Sequence, residues 1–110
     1  RDIDEVHEKA VLHSAVTVVP PCLALTEWVG GIDGKNFIAA VAGGVDIIAR
    51  LGLSLEASPN ITGISSTWQM GTFGAAAATG KLLRLNPKNF DEGTLKHALF
   101  VRVKQPIKTR

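Results

Sequence analysis

The stretch Gly71-Thr72-Phe73-Gly74-Ala75-Ala76-Ala77-Ala78-Thr79-Gly80-Lys81-Leu82-Leu83, GTFGAAAATGKLL, decides how this chain folds, because its glycines and lysine fit two incompatible structures. The first is a phosphate-binding loop, which needs G-x-x-x-x-G-K-S/T so that backbone amides wrap the phosphates and the hydroxyl holds magnesium. Here five residues separate Gly74 from Gly80, and Leu82 stands where the hydroxyl belongs. The dinucleotide spacing G-x-G-x-x-G is also missing, and the polar segment before Gly71 supplies no strand for such a loop to follow. The second structure is a helix. Four alanines are strongly helical, and with glycines on either side they leave a strip at Gly71, Gly74 or Ala75, and Ala78 on which a neighbouring backbone can come close. The spacing therefore predicts a helix over about 68–85, built for packing and not for phosphate.

Working outward, the same helical period appears on both sides. Upstream, Asp33 is placed to cap a helix whose apolar positions Phe37, Ile38, Val41, Val45, Ile48 and Leu51 or Gly52 recur every three or four residues. Asp46 and Arg50 stand four apart on it and can pair across one turn. Residues 14–29 are apolar up to Gly30-Gly31, a helix stop, but Pro20-Pro21 interrupts them. Either a helix begins near Val19, with proline in its first turn, or an earlier helix is kinked there. Residues 54–67 have loop composition. Downstream, Asn86-Pro87 ends the alanine-rich helix, and Leu95, Leu99 and Val103 predict a last one after the possible cap Asp91. Few segments alternate with strand period, so the expected class is all-α, about four helices with an extended polar loop at the N-terminus.

Composition narrows the function classes. With 110 residues and 45% hydrophobic content the chain has enough apolar material for one modest core. Its single cysteine, Cys22, cannot form an internal disulfide, and no secretory signal pattern is present, so a reducing, cytoplasmic setting is expected. The apolar windows 11–29 and 37–55 are broken by His13, Pro20, Pro21 and Glu27 and by Asp46 and Arg50, so neither reads as membrane-spanning. Acids crowd the start and Lys96, Arg102, Lys104, Lys108 and Arg110 crowd the end. With no aromatic beyond Phe100 and no known reading motif, that end is read as a solvated basic tail, and nucleic acid is not the expected partner.

Three segments in order, Ser14-Ala15-Val16 through Pro20, Gly44 to Gly52 (GVDIIARLG) and GTFGAAAATGKLLRLN, resemble the MmgE/PrpD family, over roughly Asp2 to Ala98. The resemblance implies a large helical domain joined to a smaller α/β lid, a homodimer or higher oligomer, no metal and no cofactor. It also implies lyase chemistry on a di- or tricarboxylate, of the 2-methylcitrate dehydratase or cis-aconitate decarboxylase type. That family shows an Asp-aromatic-Asp-Asp segment followed by His-Pro; the matching residues are Asp2-Ile3-Asp4-Glu5 and His13-Ser14. Asp2 and His13 thus look like the family's active-site aspartate and histidine, with His7 a looser match to a further histidine that would touch substrate.

Such a pair suits the chemistry, since elimination beside a carboxylate moves a proton at carbon, an imidazole exchanges protons near neutrality, and a carboxylate can hold its tautomer. Departures from the family pattern matter too. Ser65 stands six residues before Gly71, where the family commonly has a histidine; a hydroxyl there can bond substrate but not relay a proton. The family's lysines and tyrosine lie far downstream of these segments. Residues 100–110, FVRVKQPIKTR, do not follow the family, so residues 1–99 are expected to be a partial helical domain and 100–110 an unrelated tail. The competing expectation is a catalytically incomplete helical module, cut from such an enzyme, that survives by packing or oligomerisation.

Overall fold

The structure, a computed structural model, describes residues 4–54 and 66–86. Among them are three α-helices and no strand: α1 (Ala15–Val29), α2 (Gly34–Ser54) and α3 (Ser66–Leu82). The all-α class stands, with three helices in place of about four; the one expected after Asp91 lies outside the described residues. The largest interface joins α2 to α3, and the smallest joins α1 to α2.

α1 runs straight through the proline question. It begins at Ala15, so Pro20 and Pro21 lie inside it, and the Val16 and Thr17 carbonyls lose their usual helical donors. Interior prolines cost about 3 kcal/mol each, so tertiary burial must hold this helix. Val18, Cys22 and Leu25 provide it, in a core shared with Ala40, Ala78 and Leu82. Burial also pushes the Cys22 thiol up. Gly30 and Gly31, at φ 68° and 67°, terminate the helix in a conformation other residues rarely adopt.

Asp33 caps α2 as its position predicts: its Oδ1 accepts the Asn36 N–H at 2.9 Å and its Oδ2 the Asn36 side-chain amide at 2.6 Å. Those two bonds hold its carboxyl below the usual carboxylate range. Asp46 and Arg50 pair at 2.7 Å on the exposed side. The buried stripe of α2 is Ala40, Gly44, Ile48 and Gly52, while Phe37, Val41 and Val45 flank it partly buried. Ile38, expected in the apolar face, is instead 69% exposed. The period was legible, but the face is centred on small residues. By length and composition alone α2 could cross a bilayer; the stripe here faces protein, and the other side carries the Asp46–Arg50 charges.

α3 starts at Ser66 and ends at Leu82, slightly inside the expected span on its C-terminal side. Gly80 and Lys81 therefore lie in the last helical turn, far from the helix start where an anion would bind. The strip Gly71, Gly74, Ala78 is the packing face. A Cβ on Gly71 would meet Thr17 of α1, and one on Gly74 would meet the Gly44 carbonyl, Ile48 and Val18. Past its end, Leu85 N–H bonds the Gly80 carbonyl at 3.0 Å and Arg84 N–H the Lys81 carbonyl at 3.1 Å, with Arg84 at φ 53°. This is a Schellman stop with arginine where glycine is usual.

Candidate functional site

The segment before α1 is not the extended polar loop its composition suggests. His7 N–H bonds the Leu12 carbonyl at 2.9 Å, closing a tight turn that takes Val11 to φ 50°, an uncommon conformation for a β-branched residue. Alternating exposure explains the turn: Val6 and Val11 face outward, whereas Ala10 and Leu12 are buried with Ile48, and Met70 packs against them. The space they occupy exists because Gly52 has no side chain; a Cβ there would lie 2.5 Å from Leu12 Cδ2 and 2.9 Å from Ala10 Cβ.

Two further ties anchor the loop to helix ends. Glu5 Oε1 accepts the Ala15 N–H at 2.6 Å and the Ser14 hydroxyl at 2.7 Å. Ser14, the nominal N-cap, makes no side-chain cap itself, so Glu5 does the capping from nine residues upstream. Partial burial works to raise the Glu5 carboxyl, but the hydrogen bonds from Ala15 and Ser14 outweigh it and hold the group below its ordinary value. The second tie is between His13 N–H and the hydroxyl of Thr67, 3.0 Å apart and 54 residues distant in sequence. Thr67 is buried in the first turn of α3.

These ties leave the His13 ring half-exposed at the loop's rim. Its Nδ1 faces two oxygens, the Glu5 carbonyl at 2.9 Å and Asp4 Oδ2 at 3.1 Å. Neither carbonyl nor carboxylate has a hydrogen to give, so in the neutral ring the proton sits on Nδ1 and Nε2 keeps its lone pair. His7 is the opposite case: its Nδ1 accepts the Ala10 N–H at 3.2 Å, which places the proton of its neutral ring on Nε2. The two histidines are thus held as different tautomers by bonds a few residues apart.

The structure therefore sets His13 beside a carboxylate, in an arrangement able to exchange a proton at Nε2. His7 is tied into the turn through its Nδ1. Asp2 and Ser65, the other two residues the sequence nominated, lie outside the described residues. Asp4, Glu5 and Thr67 were not nominated. Asp4 and Glu5 stand in the quoted acidic segment, but choosing among its acids requires the turn geometry. For Thr67 only its nearness to the alanine-rich helix offered a signal. Among the described residues no three His, Cys, Asp or Glu side chains gather closely enough to hold a metal ion.

Comparison with known proteins gives this geometry a context. Residues 1–99 match the MmgE/PrpD N-terminal domain. The chain is 32% identical over 97 residues to the cis-aconitate decarboxylase-like protein oryM of Aspergillus oryzae (strain ATCC 42149 / RIB 40), across 78% of this chain and 19% of that protein. It is likewise 32% identical over 102 residues to the cis-aconitate decarboxylase of Aspergillus terreus, across 83% of this chain and 20% of that protein. The chain thus spans about a fifth of the length of the curated relatives it matches. No solved structure gives a significant match.

Proposed function

We propose, from the premise that this chain belongs to the MmgE/PrpD family, that it supplies the proton-moving histidine of a metal-independent lyase acting on a di- or tricarboxylate. The observation that carries this reading is His13, whose Nδ1 is occupied by the Glu5 carbonyl and Asp4, while no described residue bonds its Nε2. Decarboxylation breaks the bond to the departing carboxylate, carbon dioxide leaves, and the electron pair left on the carbon skeleton takes a proton. The imidazolium of His13 delivers it from Nε2. In dehydration His13 acts first as base, taking a proton from the carbon next to a carboxylate as the hydroxyl departs. Both steps need one group that changes protonation near neutrality in a fixed orientation. The relatives, a cis-aconitate decarboxylase and a cis-aconitate decarboxylase-like protein, favour decarboxylation of cis-aconitate over dehydration of 2-methylcitrate.

Asp4 is the charged partner at the His13 ring, so the cations that hold a polycarboxylate are proposed to come from other segments. Asp2 as a second proton-moving group, and His7 and Ser65 as substrate contacts, belong to the same proposal and rest on the matched motif. So do a cytoplasmic setting away from membranes and assembly as a homodimer or larger oligomer. The exposed Val16 and Leu23 on α1 support assembly, since one helix face leaves both open.

The test uses the chain within a protein of the relatives' length, supplied with cis-aconitate or 2-methylcitrate, with product followed by proton NMR. His13→Asn keeps an N–H donor near the Nδ1 position and deletes Nε2, so it should lower kcat by about 10²- to 10⁴-fold while the fold survives. Retention of a tenth or more of the activity by H13N would remove His13 from the chemistry.

A further inference from the structure

We propose that Asp4 is a positioning residue for His13: its carboxylate, with the Glu5 carbonyl, keeps the ring proton on Nδ1 and so makes Nε2 the atom that exchanges a proton with substrate. This rests on the reading of His13 as the acid–base group.

The two neighbouring acids have divided tasks. The Glu5 carboxylate is committed to the start of α1, where it accepts the Ala15 N–H and the Ser14 hydroxyl. Only its backbone carbonyl reaches the ring, at 2.9 Å. The Asp4 carboxylate has the ring as its partner, at 3.1 Å, and lies 42% exposed. An ion pair that open contributes little to holding a fold together, so its placement is better explained by what it does to the ring. A neutral carbonyl alone favours the Nδ1–H tautomer. A carboxylate adds a charge-assisted bond, which strengthens most when the ring acquires its second proton and becomes imidazolium. Asp4 therefore acts in the protonation state the reaction must pass through, in the way a carboxylate behind a catalytic imidazole orients it and stabilises its cation.

The rest of the loop keeps the ring from turning away. Thr67 fixes the His13 backbone at 3.0 Å, and the turn at Val11 returns the chain from His7 to Leu12, so residues 4 and 13 meet. His7 sits in the same turn with its proton on the other nitrogen, which makes it an internal control for any experiment on His13.

The test is long-range proton–nitrogen NMR on the full ¹⁵N-labelled chain. In the unaltered chain His13 should show a protonated Nδ1 and a bare Nε2, and His7 the reverse. Asp4→Ala should reduce the excess of the Nδ1–H form of His13 by about tenfold, the worth of one charge-assisted hydrogen bond, and leave His7 as it was. Asp4→Asn, which is neutral and can turn its amide to donate to Nδ1, should not restore the excess. A D4A ring unchanged at His13, or a D4A change that disturbs His7 equally, would overturn the proposal; the second would make Asp4 merely structural. A kinetic arm separates the two readings: in the protein of the relatives' length, D4A should lower kcat about tenfold with KM within about twofold. Should the tautomer respond while H13N and D4A leave turnover untouched, the lyase reading fails and the positioning of the ring stands.

Discussion

Alanine at Gly44 tests how α2 and α3 are joined. A Cβ there would lie 2.8 Å from the Gly74 carbonyl oxygen, 2.8 Å from Val18 Cγ1 and 2.9 Å from Ala78 Cβ. None of the three is the free end of a flexible side chain: one is helical backbone, one a stiff β-branched residue, and one a Cβ fixed to its own helix. Ordinary contact begins about 0.6 Å further out, so the helices must separate by that much along the crossing, loosening Ile48, Ala78 and Val18 together. Overpacking of this kind costs about 1–3 kcal/mol, and the lost contacts along the crossing add to it. Against this stands the better helix propensity of alanine, about 1 kcal/mol. The net expectation for G44A is destabilisation by about 1–3 kcal/mol, or roughly 5–15 °C in Tm for a domain this small. Gly43 supplies the control: it neighbours Gly44 on the same helix, and a Cβ there meets nothing within 4 Å. G43A should stabilise by about 0.5–1 kcal/mol, the propensity gain alone. Thermal and urea unfolding followed by circular dichroism would compare the two. A G44A chain as stable as G43A would refute a backbone-to-backbone crossing.

Two predictions concern the chain's local stops and caps. Because the folded Glu5 carboxyl is held below its ordinary value, it stabilises the fold fully above the unfolded value of 4.5, and that stabilisation disappears as pH falls through the lower folded value. Glu5→Gln should thus cost about 1 kcal/mol at pH 7 and progressively less in acid, and a gap between the two proteins that is constant from pH 7 to about pH 3 would contradict the capping role. Arg84→Gly relieves a left-handed arginine at φ 53° and should stabilise by about 0.5–1 kcal/mol in the same unfolding measurements; a loss of stability would show that the Schellman geometry is not strained there.

Features set by neighbours in sequence could be read directly, and those set by contacts across the fold could not. Asp33 as a cap, the Asp46–Arg50 pair and the strip Gly71, Gly74, Ala78 depend only on helical spacing, and all three are present. The face of α2 departs from its apolar period at Ile38, because the interface selects for smallness at Ala40, Gly44 and Gly52 and not for apolar size. Pro20-Pro21 left the start of α1 undecided, since what keeps it helical is burial of Val18, Cys22 and Leu25 against other helices. At the site, His13 was identifiable from its acidic context, but its partners were not. Asp4 reaches it through a turn whose geometry is set by burying Ala10 and Leu12, and Thr67 reaches it from 54 residues away.

Gly44 and Gly74 each approach the other's carbonyl oxygen, 2.8 Å from the one and 2.9 Å from the other for an added Cβ. Most tight packing between side chains can drift over evolutionary time, because growth on one side is answered by shrinkage on the other. At this crossing neither partner has anything left to give up, since no residue is smaller than glycine. Substitution at either position therefore has no second-site remedy at its mate, and rescue has to come from moving a whole helix. The two positions are expected to vary independently of each other and hardly at all, whatever happens to the chemistry at His13.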